Sequence, residues 1–459
     1  MTESVSDMIL PGGCRIIRFP ENRDDRGALS FAEGLEHIPF RIDRVFWIYG
    51  VPEGKTRGDH SHCESAEVVV PVSGSFDMYV SDGSCECIVR MDSPSCGILI
   101  PPGVWCALRN FSPETVCVVF ASHPYNASGY TDNYEGYAGN CLTVHRYSTE
   151  QRDEWNSFVK SSKNGTFLLD RNYMDYHSDR FNDCSLMLYR KGGLVALLPA
   201  NYERETGTVH SHAGLTYGGL VLAKDVTASD VLEMFNAAMG WMRNSLGAVR
   251  FVYKPVPYIY SSLPSEEDLY AVFRNNGRLL NRAVSSVIGC GDRLPFCKLR
   301  KRGMAKAAKN GLSVREGTSE TDWAGFWVVL SEVLMKRHGR EPVHSLDEIK
   351  LLASRFPENI RLYVVTDSTG NIVAGTVMYV TDNVAHSQYI AASEQGRGYG
   401  ALDLLFSKLI TDVFAAHRYF DFGISTEQGG RFLNEGLMFQ KEGFGARAVV
   451  YDTYEIMIE

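Results

Sequence analysis

The sequence predicts a multidomain chain in which an all-β sandwich or small barrel precedes a longer region of mixed helices and strands. Three observations carry this. At 459 residues the chain exceeds what one hydrophobic core supports, so two or three domains are expected. Residues 14–125 read as short β-runs cut by Gly, Pro and Asp turns, with almost no helical periodicity. Near Gly139–His145 that texture changes and helical segments begin.

The β-runs are Arg44–Tyr49, Ala66–Val72, Ser75–Val80, Glu86–Met91, Cys96–Ile100 and Thr115–Ala121, with turns such as Asp82-Gly83 and Pro101-Pro102-Gly103 between them. Helical patterns follow at Glu150–Lys160, Ser229–Asn244 and Glu266–Asn275. A second division near 295–300 precedes a basic helical stretch, Leu299–Asn310, and two amphipathic ones, Thr321–Lys336 and Leu346–Phe356. Arg361–Asp367 and Ile372–Val380 flank the turn Ser368-Thr369-Gly370-Asn371 as a hairpin, and His386–Ala392 continues the sheet. Ala401–His417 reads as a helix with Leu402, Leu405, Leu409 and Val413 on one face; Arg418–Ile424 and Ala446–Ile456 read as closing strands. The expected domains are 1–140, 141–298 and 299–459.

A net charge of −9 argues against a general nucleic-acid binder. No run approaches the length of a spanning helix and the N-terminus lacks a signal pattern, so a cytoplasmic location with no membrane contact is expected. Eleven cysteines lie scattered without CxxC spacing, which suits reduced thiols packing as small hydrophobes.

The strongest local signal runs from Gly54 to Gly74 as G-x5-H-x-H-x4-E-x6-G, with His60, His62 and Glu67 at the named positions. In a strand, residues i and i+2 share a face, so both imidazoles project into a barrel interior. This matches the first motif of the cupins, all-β jelly rolls. Pro101–Asn110 matches the second, P-x-G-x2-H-x3-N, except that Cys106 replaces the histidine. That histidine completes the ligand set in metal cupins; here the set would be His60, His62, Glu67 and a thiolate, an unusual mixture of donors. A structural pair, a metal site and metal-free acid–base catalysis compete. The last is favoured because histidine moves protons near neutral pH.

Residues 14–137 resemble the sugar-nucleotide 3,4-ketoisomerases that act on dTDP-4-keto-6-deoxyglucose. The resemblance rests on Asp25-Arg26-Gly27, Ile38-Pro39-Phe40, Arg44–Tyr49, Arg57-Gly58-Asp59-His60-Ser61-His62, Val72–Asp77, Ile100–Trp105, Asn110-Phe111-Ser112 and Tyr125–Tyr130. It implies a cupin homodimer that works without metal or cofactor, with His60 and His62 carrying the proton transfers. A C4 ketone acidifies the C3 proton; its removal gives an enediol, and a proton returns at C4. Tyr49 is a candidate for hydrogen-bonding the enediol, or for packing. Arg26 and Arg57 are candidates for the diphosphate, each with a surface ion pair as the alternative. Glu67, Trp105, Tyr125 and Tyr130 complete the candidate substrate site, Trp105 being either a stacking surface or core.

In the second half, a strand leads into Gln395-Gly396-Arg397-Gly398-Tyr399-Gly400 and then a helix. This fits Q/R-x-x-G-x-G/A, the acyl-CoA diphosphate loop of GNAT acyltransferases, where glycines admit the phosphates to backbone amides. Residues 145–459 also resemble the tandem-GNAT, FemAB-like acyltransferases, through Ser211–Gly219, Phe420–Glu427, Asn434-Glu435 and Lys441–Gly445. That resemblance implies two lobes with a cleft between them and acyl transfer to an amine. His212, Tyr217, Asp421 and Glu427 are candidates for acceptor binding or proton handling; each has a packing, capping or solvated-loop alternative. The basic run Lys298–Lys309 reads as a solvated helix face, a diphosphate contact or a contact to aminoacyl-tRNA. The glycine loop and the acidic net charge favour acetyl-CoA or another acyl-CoA as donor.

The two halves imply a bifunctional enzyme for a dTDP-linked 3-acylamido-3,6-dideoxyhexose of an O-antigen or other surface polysaccharide. A separate PLP-dependent aminotransferase would act between its two steps. The rivals are a metal-dependent cupin enzyme, and a sugar-nucleotide-binding cupin that positions a tRNA-dependent transferase.

Overall fold

The computed structural model describes residues 10–83, 85–126, 129–134, 137 and 142–458. The chain divides into two compact units, Met1–Thr143 with Arg190–Gly193, and Val144–Tyr189 with Leu194–Glu459. The expected boundary at 140/141 falls on residues outside the described set. Among the described residues, no helix is long and apolar enough to cross a membrane.

The first unit is a pair of five-stranded antiparallel sheets. One orders its strands Arg15–Arg18, Cys96–Ile100, Glu67–Ser73, Val116–Ala121, Arg44–Tyr49; the other orders Tyr130–Thr131, Arg57–His62, Trp105–Arg109, Phe76–Ser81, Glu86–Met91. Alternation decides which side chains meet between them. Val69, Phe76, Met78, Val80, Ile98, Leu108, Cys117 and Val119 form that core, while Val68, Val70 and Leu99 point outward and are covered by Phe19 and Ile38. The edge strand Arg44–Tyr49 keeps Val45, Trp47 and Tyr49 exposed, a continuous apolar stripe. A further hairpin, Glu21–Asp24 with Gly27–Ser30, is exposed throughout. Its charged residues show no period-2 pattern, which is why sequence reading passes over it.

In the second unit the helices fall close to the expected positions. Ser and Thr caps fix several starts: Thr227 with Asp230, Ser319 with Asp322 and Ser345 with Glu348 form capping boxes. The helix expected over Ala401–His417 is shorter. It is α-helical over Ala401–Lys408 and widens into a π turn over Leu409–Val413.

Ten strands form the main sheet, in the order Asn201–Glu203, Thr208–His210, Arg250–Tyr253, Arg447–Met457, Arg278–Gly289, Tyr419–Ile424, Val384–Ala392, Ile372–Val380, Ile360–Thr366, Ser313–Gly317. The strand Arg447–Met457 joins the halves, pairing with Arg250–Tyr253 on one side and Arg278–Gly289 on the other. One core spans both lobes, from Trp155 and Leu169 to Phe326 and Leu362. A second, holding Phe406, Leu409, Phe420, Phe422 and Phe444, covers the opposite face. Val384–Ala392 and Tyr419–Ile424 run parallel but pair only at Val384, Ala385 and His386, opposite Tyr419, Phe420 and Asp421. Beyond His386 the two strands diverge.

Candidate active sites

In the first unit the strand Arg57–His62 carries the histidines. A bulge helps aim them: Cys106 pairs with His60 and Ala107 with Gly58, leaving Asp59 over. His60 Nε2 lies 3.1 Å from His62 Nε2, and His62 Nε2 lies 3.1 Å from Glu67 Oε1. Arg44 Nη2 donates to the same oxygen at 3.1 Å. The network assigns the tautomers. Gly58 O, 3.0 Å from His60 Nδ1, can only accept, so neutral His60 carries its proton on Nδ1 and offers a lone pair at Nε2. The carboxylate likewise places the His62 proton on Nε2. Burial, and then the neighbouring His62, hold His60 below the ordinary histidine value, so it is neutral near pH 7.

Tyr130 walls the pair, its ring centroid 4.9 Å from His60 and 4.5 Å from His62. Tyr125 follows, 5.8 Å from Tyr130 with the Arg44 guanidinium 5.7 Å above it. The structure therefore gathers His60, His62, Glu67, Tyr125 and Tyr130, and adds Arg44, a residue of the Arg44–Tyr49 motif to which the sequence assigns no role. Glu67 is buried and bonded to His62 and Arg44, an orienting position and not the substrate contact expected of it.

Other expected residues stand apart. Trp105 is 3% exposed and packs on Tyr134 and Tyr137 at 5.0 and 5.4 Å. Trp105 pairs with Ser61, so alternation turns it away from the histidine face and makes it core, not a stacking surface. Cys106, paired with His60, does face that side; burial, and next Glu67, push its thiol pKa up, so it stays protonated. Arg26 sits exposed on the hairpin and pairs with Asp24. Arg57 is exposed at the start of the histidine strand, and Tyr49 lies on the exposed face of the edge strand. Among the described residues, the group whose ligand atoms converge as around a cation is elsewhere, at Glu33, Glu36 and His37.

In the second unit the diverging strands open into a cavity of about 480 Å³. Ile390–Ala392 and Phe422 line it where the strands part, with Arg300, Arg337, Arg397 and Lys441 among its charged walls. The expected loop is a helical turn, Glu394–Tyr399, capped by Ser393 Oγ on Gly396 N at 3.1 Å. Only part of its glycine pattern is open to a ligand. A Cβ on Gly396 would meet Val373 O at 2.3 Å and one on Gly400 would meet Gly303 O at 2.5 Å, whereas Gly398 faces open space. Arg397, Gly400 and Ala401 do line the cavity, so charged and apolar walls suited to a phosphate-bearing thioester adjoin the motif.

Asp421 is no solvated loop carboxylate. It is fully buried and accepts from His386 Nδ1 at 2.8 Å, Ser285 Oγ at 2.6 Å, Tyr451 OH at 2.7 Å and Gly423 N at 2.8 Å. Tyr260 OH stands 3.5 Å away. Burial opposes its charge, but His386 and these hydroxyls outweigh it and hold the carboxyl at about 2. The sequence shows His386 only as a residue of the sheet; the one signal pointing to it is a histidine and an aspartate in neighbouring predicted strands. A second, polar cavity of about 560 Å³ lies between the lobes, lined by Lys160, Lys224, Tyr260, Arg355 and Asn383.

His212 is buried at φ 60°, stacked on His177 at 5.4 Å, and burial lowers its pKa to about 3. Tyr217 is buried and donates to Thr166 Oγ1 at 3.1 Å. Both are core positions. Glu427 is exposed and accepts from Asn434 Nδ2 at 2.8 Å, away from the buried Asp421 network.

The family model described as "FdtA: WxcM-like, C-terminal" matches residues 12–141. A TDP-4-oxo-6-deoxy-α-D-glucose-3,4-oxoisomerase of Aneurinibacillus thermoaerophilus is 32% identical over 123 residues, 27% of this chain and 88% of that protein. Through this unit the chain belongs to the sugar 3,4-ketoisomerase family. A 3,4-ketoisomerase structure from Helicobacter canadensis is 32% identical to the ketoisomerase unit, covers 28% of this chain and 95% of its own, and aligns with a TM-score of 0.27. Downstream of the ketoisomerase unit, residues 298–429 match the model of an acetyltransferase (GNAT) domain. The crystal structure of FemX covers 69% of this chain and 97% of its own with a TM-score of 0.50 at 10% identity. The second unit thus has the FemX-like fold, as its two lobes on one sheet imply.

Proposed function

We propose that the chain catalyses two steps on dTDP-linked deoxysugars. The first unit isomerises dTDP-4-keto-6-deoxyglucose to its 3-keto isomer. The second N-acylates a dTDP-3-amino-3,6-dideoxyhexose with an acyl-CoA, acetyl-CoA being the simplest donor. The chain Arg44–Glu67–His62–His60, in a member of the ketoisomerase family, carries the first assignment. A proton taken from C3 at His62 Nδ1, the nitrogen left unprotonated when Nε2 donates to Glu67, makes an imidazolium whose charge lies beside that carboxylate. The enediol then regains a proton at C4 from the same pair, so no external oxidant or reductant is needed. Tyr125, Tyr130 and Arg44 frame the sugar nucleotide, and Arg57, exposed at the start of the histidine strand, is the candidate for its diphosphate. The exposed stripe Val45, Trp47 and Tyr49 is a surface that a homodimer would cover.

For the second step, acetyl-CoA supplies an activated thioester carbonyl when bound. Arg397 and Arg337 would hold its phosphates, and the apolar walls at Ile390, Phe406 and Phe422 its acyl arm. The polar cavity, with Lys160, Lys224 and Arg355, suits the acceptor's diphosphate. The intervening amination belongs to a separate PLP-dependent enzyme, and the product to a surface polysaccharide such as an O-antigen made from cytoplasmic precursors.

The test incubates the protein with dTDP-4-keto-6-deoxyglucose in D2O and follows the C3 proton by NMR. Exchange that persists in EDTA is expected. No exchange overturns the isomerase, and loss of exchange in EDTA with recovery on adding metal establishes the metal-dependent alternative. Thiol release from acetyl-CoA with a dTDP-3-amino sugar tests the second step, where Arg397→Ala should raise KM for acetyl-CoA about 10-fold, the loss of one charge-assisted contact. Turnover only with charged tRNA would overturn the CoA assignment.

A further inference from the structure

His386 is the last residue at which the two parallel strands still pair; its register partner is Asp421, and past this point the strands part into the 480 Å³ cavity. On its other flank Asp421 meets Tyr260, which lines the polar cavity between the lobes. Asp421 thus adjoins Phe422, a wall of the first cavity, and Tyr260, a wall of the second, the two spaces that a donor and an acceptor would fill. We propose that His386, oriented by Asp421, is the base that takes the proton from the acceptor amine. This rests on the acyltransferase reading of the second unit.

The hydrogen bonds dictate the imidazole's state. A buried carboxylate can only accept, so His386 Nδ1 carries the proton and Nε2 holds the lone pair. Asp421 keeps its charge because Ser285, Tyr451 and Gly423 also donate to it, and that charge stabilises an imidazolium forming 2.8 Å away. Gly423, at φ 78°, flanks the Nε2 edge of the ring: a Cβ there would touch it at ordinary contact distance, 3.4 Å from Cε1 and 4.0 Å from Nε2. The other groups around it are neutral phenols, Tyr451 and Tyr260 at the carboxylate and Tyr379 opposite His386 on the neighbouring strand. Lys441 donates instead to Gly423 O, Ile424 O and Ser425 Oγ.

In the step, the neutral amine attacks the thioester carbon as the C–N bond forms. His386 Nε2 takes the proton that nitrogen loses, the C–S bond breaks, and the imidazolium returns that proton to the departing sulfur. Amine and thioester thus become amide and thiol with nothing else consumed.

The full-length His386→Asn variant tests this, because its amide NH2 can still donate to Asp421 and so preserve the buried pair while removing the base. With acetyl-CoA and dTDP-3-amino-3,6-dideoxyglucose, kcat read by thiol release should fall about 100-fold, with acetyl-CoA affinity within twofold of the parent by calorimetry. A folded variant with more than a third of the parent's kcat overturns the inference alone. If that variant fails to fold, full-length His386→Gln, whose amide also lacks a base, is read by the same assay against the same threshold. A parent that releases no thiol with any acyl-CoA overturns the acyltransferase reading and this inference with it.

Discussion

Replacing Glu67 by Gln isolates charge from shape in the ketoisomerase unit. The side chain is buried, with its partners His62 and Arg44 each at 3.1 Å. Gln keeps the volume and one acceptor but removes the formal charge that an imidazolium on His62 needs. A charge-assisted hydrogen bond contributes about 1.5–3 kcal/mol against about 0.5–1.5 for a neutral one. The protonated His62 therefore loses roughly 1.25 kcal/mol of stabilisation, the difference between the middles of those ranges, which converts to about 8-fold in kcat. Arg44 loses its counter-charge in a largely buried position, so the unfolding free energy should drop by about 1–3 kcal/mol. C3 proton exchange in D2O measures the first effect and urea denaturation the second. An E67Q protein that is folded and exchanges within threefold of the parent would refute the claim that this carboxylate supports the developing charge.

Acid sensitivity should come from buried neutral histidines in the second unit. Burial depresses His212 to about 3 and His344 to about 4. The unfolded chain, with histidines near 6.5, then binds more protons than the folded one below that pH, so stability is full above about pH 7 and falls as pH drops. Between pH 7 and 5 the two together should cost about 4 kcal/mol, read from urea midpoints; a pH-independent midpoint would count against it. Gly400→Ala should also destabilise, since φ is 81° and the new Cβ would meet Gly303 O at 2.5 Å. A loss of about 1–3 kcal/mol is expected, measured as a lowered Tm, and an unchanged Tm would show that the helix Lys298–Lys309 can move aside.

The fold was legible where patterning is strong. Strands such as Arg44–Tyr49 and Ile372–Val380 fall on their expected bounds, and the helix starts fall within two residues of theirs. The short strands of the first lobe were missed because runs such as Leu186–Arg190 are buried along most of their length and carry no alternation. The histidine pair was readable because HxH in a strand points one way. Arg44 and His386 were not, since their roles arise from partners 23 and 35 residues away. Trp105 shows the converse: a motif position whose burial follows from a register that no local pattern reveals. The glycines at 396 and 400 matched a phosphate-loop pattern while serving close backbone packing, a use that sequence cannot separate from ligand approach.

The strand Arg447–Met457 has a consequence for how the molecule is made. It bonds to Arg250–Tyr253, some two hundred residues earlier, and to Arg278–Gly289, and it supplies Tyr451 to Asp421. Until the ribosome has delivered it, the ten-stranded sheet is two fragments with bare facing edges, each an invitation to pair with another chain. The first unit has every strand it needs by Thr131 and can complete itself during synthesis. Folding of the second unit is thus timed by its last strand, and ligands that bind the finished sheet would favour its capture over misassembly.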